Sequence, residues 1–459
     1  MAGEESRPEE GKGSNLLQTE LSYGSRTGTG NGRRKAGTRG LARWGADAAV
    51  RGMGKGMKMG ASTQVPALEG GDPVRTDFLV YGQPRISEEE IQAVAETLRS
   101  GWIGTGPRVQ EFEQAFREYI GAAEAVAVSS CTAALHLAVL EAGVGPGDEV
   151  IVPAMTFCAS ANAVLHAGAT PVFVDCDPDT FNVAPEAVAK AVSSRTRAIL
   201  PVHFAGFPCD MPGLLEVARE ADLTVVEDCA HCIEGTIDGK HAGTFGKFGA
   251  FSFYPTKNVT TIEGGMVTTW DREAADRIRT TRLHGLSRDA WKRFGQEGYR
   301  HYQSTMLGFK YNMTDVQASI GLHQLRKIEE RLVVRESIWR TYDEAFRPLP
   351  VALPSSPPDG VRHSRHIYSL LVDPERVRVS RDRILEAIQR EGIGVGVHYI
   401  AVPLHRYYRE RFGISGGAYP NAERISERTL SLPLTPYLEE RDVSDVIAAV
   451  TKVLVYYSR

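Results

Sequence analysis

The chain has 459 residues, of which 42% are hydrophobic and 24% charged, with a formal net charge of −4. These values are ordinary for a globular protein, and the charge argues against a basic surface that recruits nucleic acid or anionic lipid. We find neither an apolar run of about 18 residues nor a signal-peptide pattern, so we expect a cytoplasmic protein without membrane contact. The six cysteines, from Cys131 to Cys232, are expected to be reduced thiols.

The beginning of the chain differs in composition from the rest. Residues 1–60 contain 14 Gly, 11 Lys plus Arg and 6 Asp plus Glu, with few large apolar residues. Such a segment buries too little surface to offset its chain entropy, so residues 1–75 are predicted to be a disordered Gly/Arg-rich tail. The tail is either a dispensable extension or a basic segment that touches a polyanion. The chain is too long for one hydrophobic core, so we predict two domains after the tail, a large one at 76–335 and a small one at 336–459.

The first predicted helix follows a capping-box pattern, in which Ser87 precedes Glu90 and apolar residues from Ile91 to Leu98 repeat at helical spacing. Predicted helices then lie at 110–119, 132–142, 158–167, 185–192 and 212–221. Predicted strands alternate with them, at 125–129, 149–153, 171–175, 198–203 and 223–228, with two more around Phe251 and Val267. This alternation predicts an α/β fold with a mainly parallel sheet covered by helices. Long helices at 314–346 and a smaller α+β unit, ending in a helix at 440–456, are predicted to follow.

Ligands of such a sheet bind beyond the carboxyl ends of its strands, so the polar residues at those ends are the candidates for function. The first group, 129–132 (SSCT), leaves a strand and opens a helix. A helix N-terminus with free N–H groups and hydroxyls is an anion site that suits a phosphate. Ser130 could equally be a simple helix cap.

Two charged residues follow apolar strands further along the chain. Asp228 could bind a metal ion, act as a base, pair with a cationic ring or cap a turn. Lys257 follows the strand around Phe251, and a desolvated lysine becomes a nucleophile, although most lysines are solvated. Cys229 and Cys232 have the spacing of a metal-ligand pair, but no second pair accompanies them, so we interpret them as packing residues and predict no metal site.

Several stretches together resemble the DegT/DnrJ/EryC1/StrS family of sugar aminotransferases, from about Phe78 to the C-terminus. They are SGWIGTGP, AVAVSSCTAALHLAVLEAGVGPGDEVIVPAMTF, ATPVFVDCDPDTFNV, PVHFAGFPCDM, VVEDCAHCIEG, FSFYPTKNVTTIEGGM, RLHGLSRDAW and GFKYNMTDVQASIGLHQL. The resemblance implies an enzyme that depends on pyridoxal 5′-phosphate (PLP) and has the fold of type I PLP transferases. It also implies a smaller C-terminal α+β domain.

By this resemblance, three residues are expected to be catalytic. Lys257 looks like the lysine that bonds covalently to the cofactor and moves the proton during transamination. Asp228 looks like the partner of the pyridine nitrogen. His231 occupies a position near the phenolic oxygen of the cofactor.

The same resemblance implies the other contacts with the cofactor. Phe157 matches an aromatic residue that stacks on the ring, and Cys131, Thr132 and Ser252 match the phosphate site. Asn312 matches an asparagine that reaches the phosphate of the neighbouring subunit. A homodimer with shared active sites is therefore expected.

The stretches SGWIGTGP, HGLSRDAW, GFKYNMTD, GIGVGVHYIAVPLHRYYRERFG and SERTLSLPL look closest to one subgroup. Its members transfer an amino group, here expected from L-glutamate, to UDP-4-keto-pentose and so make UDP-4-amino-4-deoxy-L-arabinose for lipid A modification of lipopolysaccharide. Thr105, His398 and Tyr399 are the expected sugar-nucleotide contacts. The alternatives are a UDP-4-keto-hexose or GDP-4-keto-6-deoxymannose substrate, a PLP-dependent sugar dehydratase, which the presence of Lys257 argues against, and a non-catalytic sugar sensor.

Overall fold

The computed structural model of the chain describes residues 64–286 and 303–459. Most of the predicted tail, and residues 287–291 of the HGLSRDAW motif, lie outside the described residues. Residues 64–75 are ordered, in contrast to the predicted disorder. The backbone N–H groups of Ala67 and Val74 donate to the carboxylate of Glu391 at 2.8 and 2.9 Å. A short 3-10 helix, Ala67–Glu69, begins this segment. Its few apolar residues are too short a run to show a period in the sequence.

The strands of the described residues form three sheets. They are β1 (Glu124–Val128), β2 (Glu149–Pro153), β3 (Thr170–Val174), β4 (Thr196–Ile199), β5 (Thr224–Asp228), β6 (Thr236–Ile237), β7 (Lys240–His241), β8 (Phe248–Ser252), β9 (Gly265–Thr269), β10 (Val351–Ala352), β11 (Val361–Arg362), β12 (Tyr368–Val372) and β13 (Thr429–Leu432). The largest sheet has seven strands in the order β1-β9-β8-β5-β4-β2-β3. From β8 to β3 all neighbours are parallel, whereas β9 is antiparallel to both β1 and β8. The prediction of a mainly parallel sheet is confirmed.

The helices of the described residues precede, alternate with and follow these strands. They are α1 (Glu88–Ser100), α2 (Pro107–Ile120), α3 (Cys131–Glu141), α4 (Cys158–His166), α5 (Pro185–Ala191), α6 (Met211–Glu220), α7 (Arg272–Thr281), α8 (Asp315–Arg326), α9 (Ile328–Phe346), α10 (Arg381–Arg390), α11 (Arg406–Phe412), α12 (Pro420–Arg428) and α13 (Glu440–Tyr457). Among the described residues, no helix is both long enough and apolar enough to cross a bilayer.

Helices cover both faces of the large sheet, which explains why its strands are apolar throughout. Successive side chains of a strand point to opposite faces. In β1, Val126 and Val128 pack with residues of α3, α4 and α7, whereas Ala125 and Ala127 pack with residues of α2 and α8. In β2, Ile151 packs on the side of α5 and α6. The carboxyl edge of the sheet is therefore held between two layers of helices.

The C-terminal part contains the three-stranded sheet β10-β12-β13, with α10 and α13 in contact with each other. The predicted boundary between residues 335 and 336 lies inside α9, an uninterrupted helix of 19 residues. A continuous helical repeat gives no sequence signal at which to divide it. The division into a large and a small domain stays a prediction.

Candidate active site

Three parallel strands bring the predicted residues to one edge of the large sheet. β5 ends at Asp228 and β8 ends at Ser252, while β1 leads through residues 129–130 into α3, which begins at Cys131. Because β1 and β8 are both antiparallel to β9, they are parallel to each other and their carboxyl ends share that edge. Lys257 lies in the turn that follows β8, where its N–H donates to the carbonyl oxygen of Tyr254 at 2.9 Å.

Asp228 is buried and its carboxylate is oriented by two donors. Oδ1 accepts from the N–H of Ala230 at 3.0 Å, and Oδ2 accepts from the hydroxyl of Ser160 at 2.8 Å. Burial raises the pKa of Asp228, while these hydrogen bonds and the positive charge of Lys257 act in the opposite direction. A carboxylate held rigidly in a buried place is suited to pair with a cationic group.

The N-terminus of α3 offers a place for an anion. The hydroxyl of Ser130 accepts from the N–H of Ala133 at 3.1 Å, so Ser130 does cap the helix. The N–H groups of Cys131 and Thr132 precede any intrahelical acceptor and remain available to a ligand. A Cβ atom at Gly265 would stand 2.5 Å from the carbonyl of Ser130 and 2.7 Å from the nitrogen of Cys131. Only glycine lets β9 pass this close to the start of the helix.

The amine of Lys257 is influenced by both the carboxylate of Asp228 and the first residue of α3, Cys131. Burial lowers the pKa of its amine to about 8, and nearby Cys131 and Asp228 raise it by smaller amounts. The lowered pKa increases the fraction of the amine that is unprotonated near neutral pH, as a nucleophilic lysine requires. Ser252, five residues earlier, is buried at the end of β8.

His231 is buried and both of its ring nitrogens have partners. Nδ1 accepts from the N–H of Ala205 at 3.2 Å, and Nε2 lies 3.0 Å from the hydroxyl of Tyr399. Burial lowers the pKa of His231 well below its usual value, with a further contribution from Lys257, so the ring is neutral. Since Nδ1 is an acceptor, the proton is on Nε2 and is donated to Tyr399. This leaves the hydroxyl hydrogen of Tyr399 free to bind another group.

Two predicted residues lie at the open side of the site. Phe157 is 55% exposed, and its ring centroid lies 5.7 Å from that of Tyr399. His398 accepts or donates at Nδ1 with the hydroxyl of Ser431 at 2.9 Å and stacks on Tyr81. Burial lowers the pKa of His398 to about 4. An exposed aromatic ring beside neutral polar groups is suited to a flat, polar ligand.

Thr105 and Asn312, far apart in the sequence, meet beside the end of β1. Nδ2 of Asn312 donates to Oγ1 of Thr105 at 2.7 Å, and Thr105 donates to the carbonyl of Met313 at 2.6 Å. Asn312 also forms a bridge with Val128. The structure therefore brings these two predicted residues together within one chain. The contact of Asn312 with a neighbouring subunit stays a prediction.

Three residues of this region are not among the predicted site residues. Ser160 donates to Asp228 from the first turn of α4. His366 lies 4.9 Å from His231 between ring centroids, and Tyr81 stacks on His398. None of them follows a strand of the large sheet, so the rule of strand ends could not identify them.

A buried cluster of His203, Glu227 and Cys229 brings possible metal ligands within 4.8 Å of one another. Protein donors already occupy it, since Glu227 accepts from the N–H groups of Gly243, Phe245 and Gly246 at 2.7–2.8 Å. His203 shares its Nε2 with Glu227 and its Nδ1 with a backbone N–H. Such a carboxylate is satisfied without a metal ion, and the cluster is best explained as support for the loop after β5.

The sequence model of the DegT/DnrJ/EryC1/StrS aminotransferase family matches residues 84–451. The chain belongs to this family. The spore coat polysaccharide biosynthesis protein SpsC of Bacillus subtilis is 46% identical over 381 residues, which cover 83% of this chain and 98% of SpsC. The Methanocaldococcus jannaschii protein MJ1066 is also 46% identical, over 83% of this chain and 99% of its own.

Solved structures agree with this assignment. The Streptococcus pneumoniae protein Spr1654, assigned as a sugar aminotransferase and solved in a PMP form, has a TM-score of 0.78 and 34% identity, and covers 83% of this chain and 100% of its own. A PLP form of the same protein has a TM-score of 0.77 and 33% identity, over 83% of this chain and 99% of its own. The chain is therefore a sugar aminotransferase with the fold of PLP-dependent transferases, and its cofactor is PLP.

The described residues fit the cofactor of a DegT-family aminotransferase. PLP has a phosphate, a ring nitrogen and an aldehyde, which require an anion site, an acidic partner and an amine. The N-terminus of α3, the buried carboxylate of Asp228 and the amine of Lys257 offer these three groups at one edge of the sheet. The thiol of Cys131 lies 4.0 Å from Oδ1 of Asp228, and the charge of Lys257 acts to lower the pKa of both groups, so the three residues are neighbours.

Gly265→Ala is expected to weaken cofactor binding about 5- to 150-fold, because the added methyl group displaces the first residues of α3 and overpacking of this kind costs about 1–3 kcal/mol. The dissociation constant of PLP, measured by fluorescence titration of the cofactor-free enzyme, tests this. Gly145→Ala is the matched control, since a Cβ there meets no atom within 4 Å. Equal affinities of the Gly265 variant and the unchanged enzyme would rule out this role for the close approach.

Proposed function

We propose that the chain transfers the amino group of L-glutamate to the keto carbon of a nucleotide-linked 4-keto-sugar. One observation carries the proposal: the partly unprotonated amine of Lys257, the buried carboxylate of Asp228 and the open N-terminus of α3 occur together at the ligand-binding edge of the sheet. These residues supply a base, an acidic partner and an anion site. The membership of the chain in a sugar aminotransferase family supports the substrate class.

Each residue has a defined task in this proposal. When bound, PLP supplies an electron-withdrawing ring that stabilises negative charge on the carbon bearing the amine. Asp228 holds a proton on the ring nitrogen, which keeps the ring electron-poor. Lys257 takes the proton from the α-carbon of the amino donor at its Nζ, and later delivers a proton to the sugar carbon. The N–H groups at the start of α3, with Thr132 and Ser252, hold the phosphate.

His231 and Tyr399 orient the polar side of the ligand. The backbone N–H of Ala205 fixes the tautomer of His231, and His231 directs the hydroxyl of Tyr399. Tyr399 then presents its hydrogen to an oxygen of the cofactor or of the sugar. Phe157, exposed beside it, stacks on a ring. Since Nε2 of His231 already donates to Tyr399, we assign the direct polar contact to Tyr399.

We further propose a homodimer in which Asn312 and Thr105 serve the active site of the neighbouring subunit. Asn312 lies beside the end of β1 and contacts Thr105. Exposed apolar residues lie close to both in the sequence, Trp102 shortly before Thr105 and Leu307 shortly before Asn312. Exposed apolar side chains next to a polar site are typical of a subunit interface.

For the acceptor we propose UDP-4-keto-pentose, the substrate of enzymes that make UDP-4-amino-4-deoxy-L-arabinose, because the motifs around Thr105 and His398 resemble those of that subgroup. SpsC of Bacillus subtilis, named for spore coat polysaccharide biosynthesis, supports a sugar destined for a polymer and keeps UDP-4-keto-hexoses and GDP-4-keto-6-deoxymannose as competing acceptors.

The acceptor is tested by incubating the holoenzyme with L-glutamate and each keto-sugar nucleotide, and by measuring product by mass spectrometry. We expect an amino-sugar nucleotide in every productive case, with the highest kcat/KM for UDP-4-keto-pentose. A higher kcat/KM for a keto-hexose would contradict the pentose assignment alone. Loss of water from the sugar without gain of nitrogen would indicate a dehydratase, and binding of the sugar without any product would indicate a sensor.

A further inference from the structure

A small cavity beside Lys257 has an unusually cationic lining. Its volume is about 40 Å³, and its walls include Arg85, Lys257, Asn258, Arg335 and Tyr437. Three of its lining side chains are cationic, and none of those that belong to the described residues is acidic. A cavity of this size holds a few waters or one small polar group, but is too small for a sugar nucleotide. Its charge favours an anion.

Arg335 is the deepest of these cations and it is not fully paired. Its side chain is 1% exposed and its Nη2 donates to the carboxylate of Glu234 and, at 3.4 Å, to the carbonyl of Ser364. Its Nε and Nη1 are buried and have no hydrogen-bond partner. Buried donors without acceptors are rare in proteins, and a water, an ion or a ligand is a common partner of such groups. Because Glu234 offsets the charge of Arg335, the excess positive charge of the lining comes from Arg85 and from the protonated fraction of Lys257.

The neighbours of Arg335 connect it to the catalytic lysine. Asn258, next to Lys257 in the chain, donates from Nδ2 to both oxygens of Glu234 at 3.1 and 2.9 Å. The hydrogen-bonded group of Arg335, Glu234 and Asn258 therefore holds the guanidinium in a fixed orientation. Arg85 lies at the exposed mouth of the cavity, where its guanidinium is 5.9 Å from the ring centroid of Tyr437. One cation is thus fixed at the floor of the cavity and another stands at its entrance.

We propose that this cavity binds a carboxylate group of the amino donor, with Arg335 at its floor and Arg85 at its mouth. Arg335 lines the cavity, and its two unpaired nitrogens would form charge-assisted hydrogen bonds with a carboxylate that enters it. An amino acid bears its amine on the carbon next to a carboxylate, and Lys257 lines the same cavity. A donor held in this way directs its amine-bearing carbon to the side of Lys257. The assignment of the ligand as an amino donor rests on the proposed function, whereas the anion site itself does not.

The site is tested by calorimetric titration of the holoenzyme with glutarate, a dicarboxylate that has no amino group to transfer. We expect glutarate to bind and to compete with L-glutamate. Arg335→Lys keeps the charge but loses donors, and is expected to weaken glutarate binding and raise the KM for L-glutamate about tenfold, with the KM for the keto-sugar unchanged. Arg85→Gln, at an exposed position, is expected to weaken glutarate binding and to raise the KM for L-glutamate about threefold each. Arg340→Gln, on the same helix but 74% exposed, is the matched control.

The outcomes separate the two proposals. The anion site is overturned if the unchanged enzyme does not bind glutarate. It is also overturned if the Arg335 and Arg85 variants bind glutarate as tightly as the unchanged enzyme does. Both outcomes count even where L-glutamate is a working donor. Failure of L-glutamate to react, together with glutarate binding that depends on Arg335, overturns the proposed function and leaves the anion site. Thermal unfolding of each variant shows whether Arg335→Lys is folded. Arg85→Gln tests the site at an exposed position, independently of the buried Arg335.

Discussion

Lys257→Ala is expected to lower turnover by a factor of about 10⁴. Among the described residues, no other lysine lies just after β8, at the ligand-binding edge of the sheet, to replace its amine. The variant loses the nucleophile and the group that moves the proton. The phosphate site at α3 and the carboxylate of Asp228 are unchanged, so we expect the variant still to bind PLP. Steady-state formation of the amino-sugar, with cofactor binding measured separately, distinguishes the two effects.

Lys247→Ala is the control for this substitution, since Lys247 is an exposed lysine just before β8. Its turnover is expected to equal that of the unchanged enzyme. Sustained transamination by Lys257→Ala would contradict the assignment of Lys257. Thermal unfolding of Lys257→Ala is measured alongside turnover. A variant that loses both turnover and folded structure would indicate a structural role for Lys257 instead.

Asp228→Asn is expected to lower turnover about 10³-fold with little change of structure, because the amide has nearly the same shape but no charge. Opposite charges about 4 Å apart interact by roughly 4 kcal/mol at an effective dielectric of about 20, which corresponds to about three pKa units. Without that interaction the ring nitrogen loses its proton at neutral pH. The turnover number and the pH dependence of the cofactor absorbance measure this effect.

Ser160→Ala provides a graded comparison for the same carboxylate. It removes the 2.8 Å hydrogen bond to Oδ2 but keeps the charge, so we expect a loss of about tenfold. A loss in Asp228→Asn no larger than that in Ser160→Ala would show that the charge of Asp228 is not needed, and that the residue only holds the loop after β5 in place.

The parts of the site that follow strands could be predicted from the sequence. An apolar run that ends on a charged or hydroxyl residue indicates both a buried strand and the edge of the sheet where ligands bind. The structure accordingly has Asp228 at the end of β5 and residues 129–130 between β1 and α3. The strand β2 has the predicted limits, whereas β4 ends at Ile199 instead of continuing to residue 203. Pro201 has no N–H group to continue the pairing, although the chain beyond it remains buried.

The contacts that depend on folding at long range could not be predicted. Nothing in the sequence pairs Arg335 with Glu234, or Asn312 with Thr105, because their separations of 101 and 207 residues leave no local pattern. The same holds for His231, because the residues around it in the sequence do not indicate that Tyr399 and Ala205 are its hydrogen-bond partners. The roles of His231, Tyr399, Thr105 and Asn312 are expected from a family resemblance. The structure adds which of their atoms already have hydrogen-bond partners.

The most direct test of the account is the visible spectrum of the purified holoenzyme before and after addition of L-glutamate, without any sugar. We expect a cofactor absorbance band that L-glutamate abolishes with formation of one 2-oxoglutarate for each cofactor, and that a keto-sugar nucleotide then restores. A protein that shows no such band after incubation with PLP would contradict the cofactor site at Lys257, and a band that L-glutamate leaves unchanged would contradict its role as the amino donor.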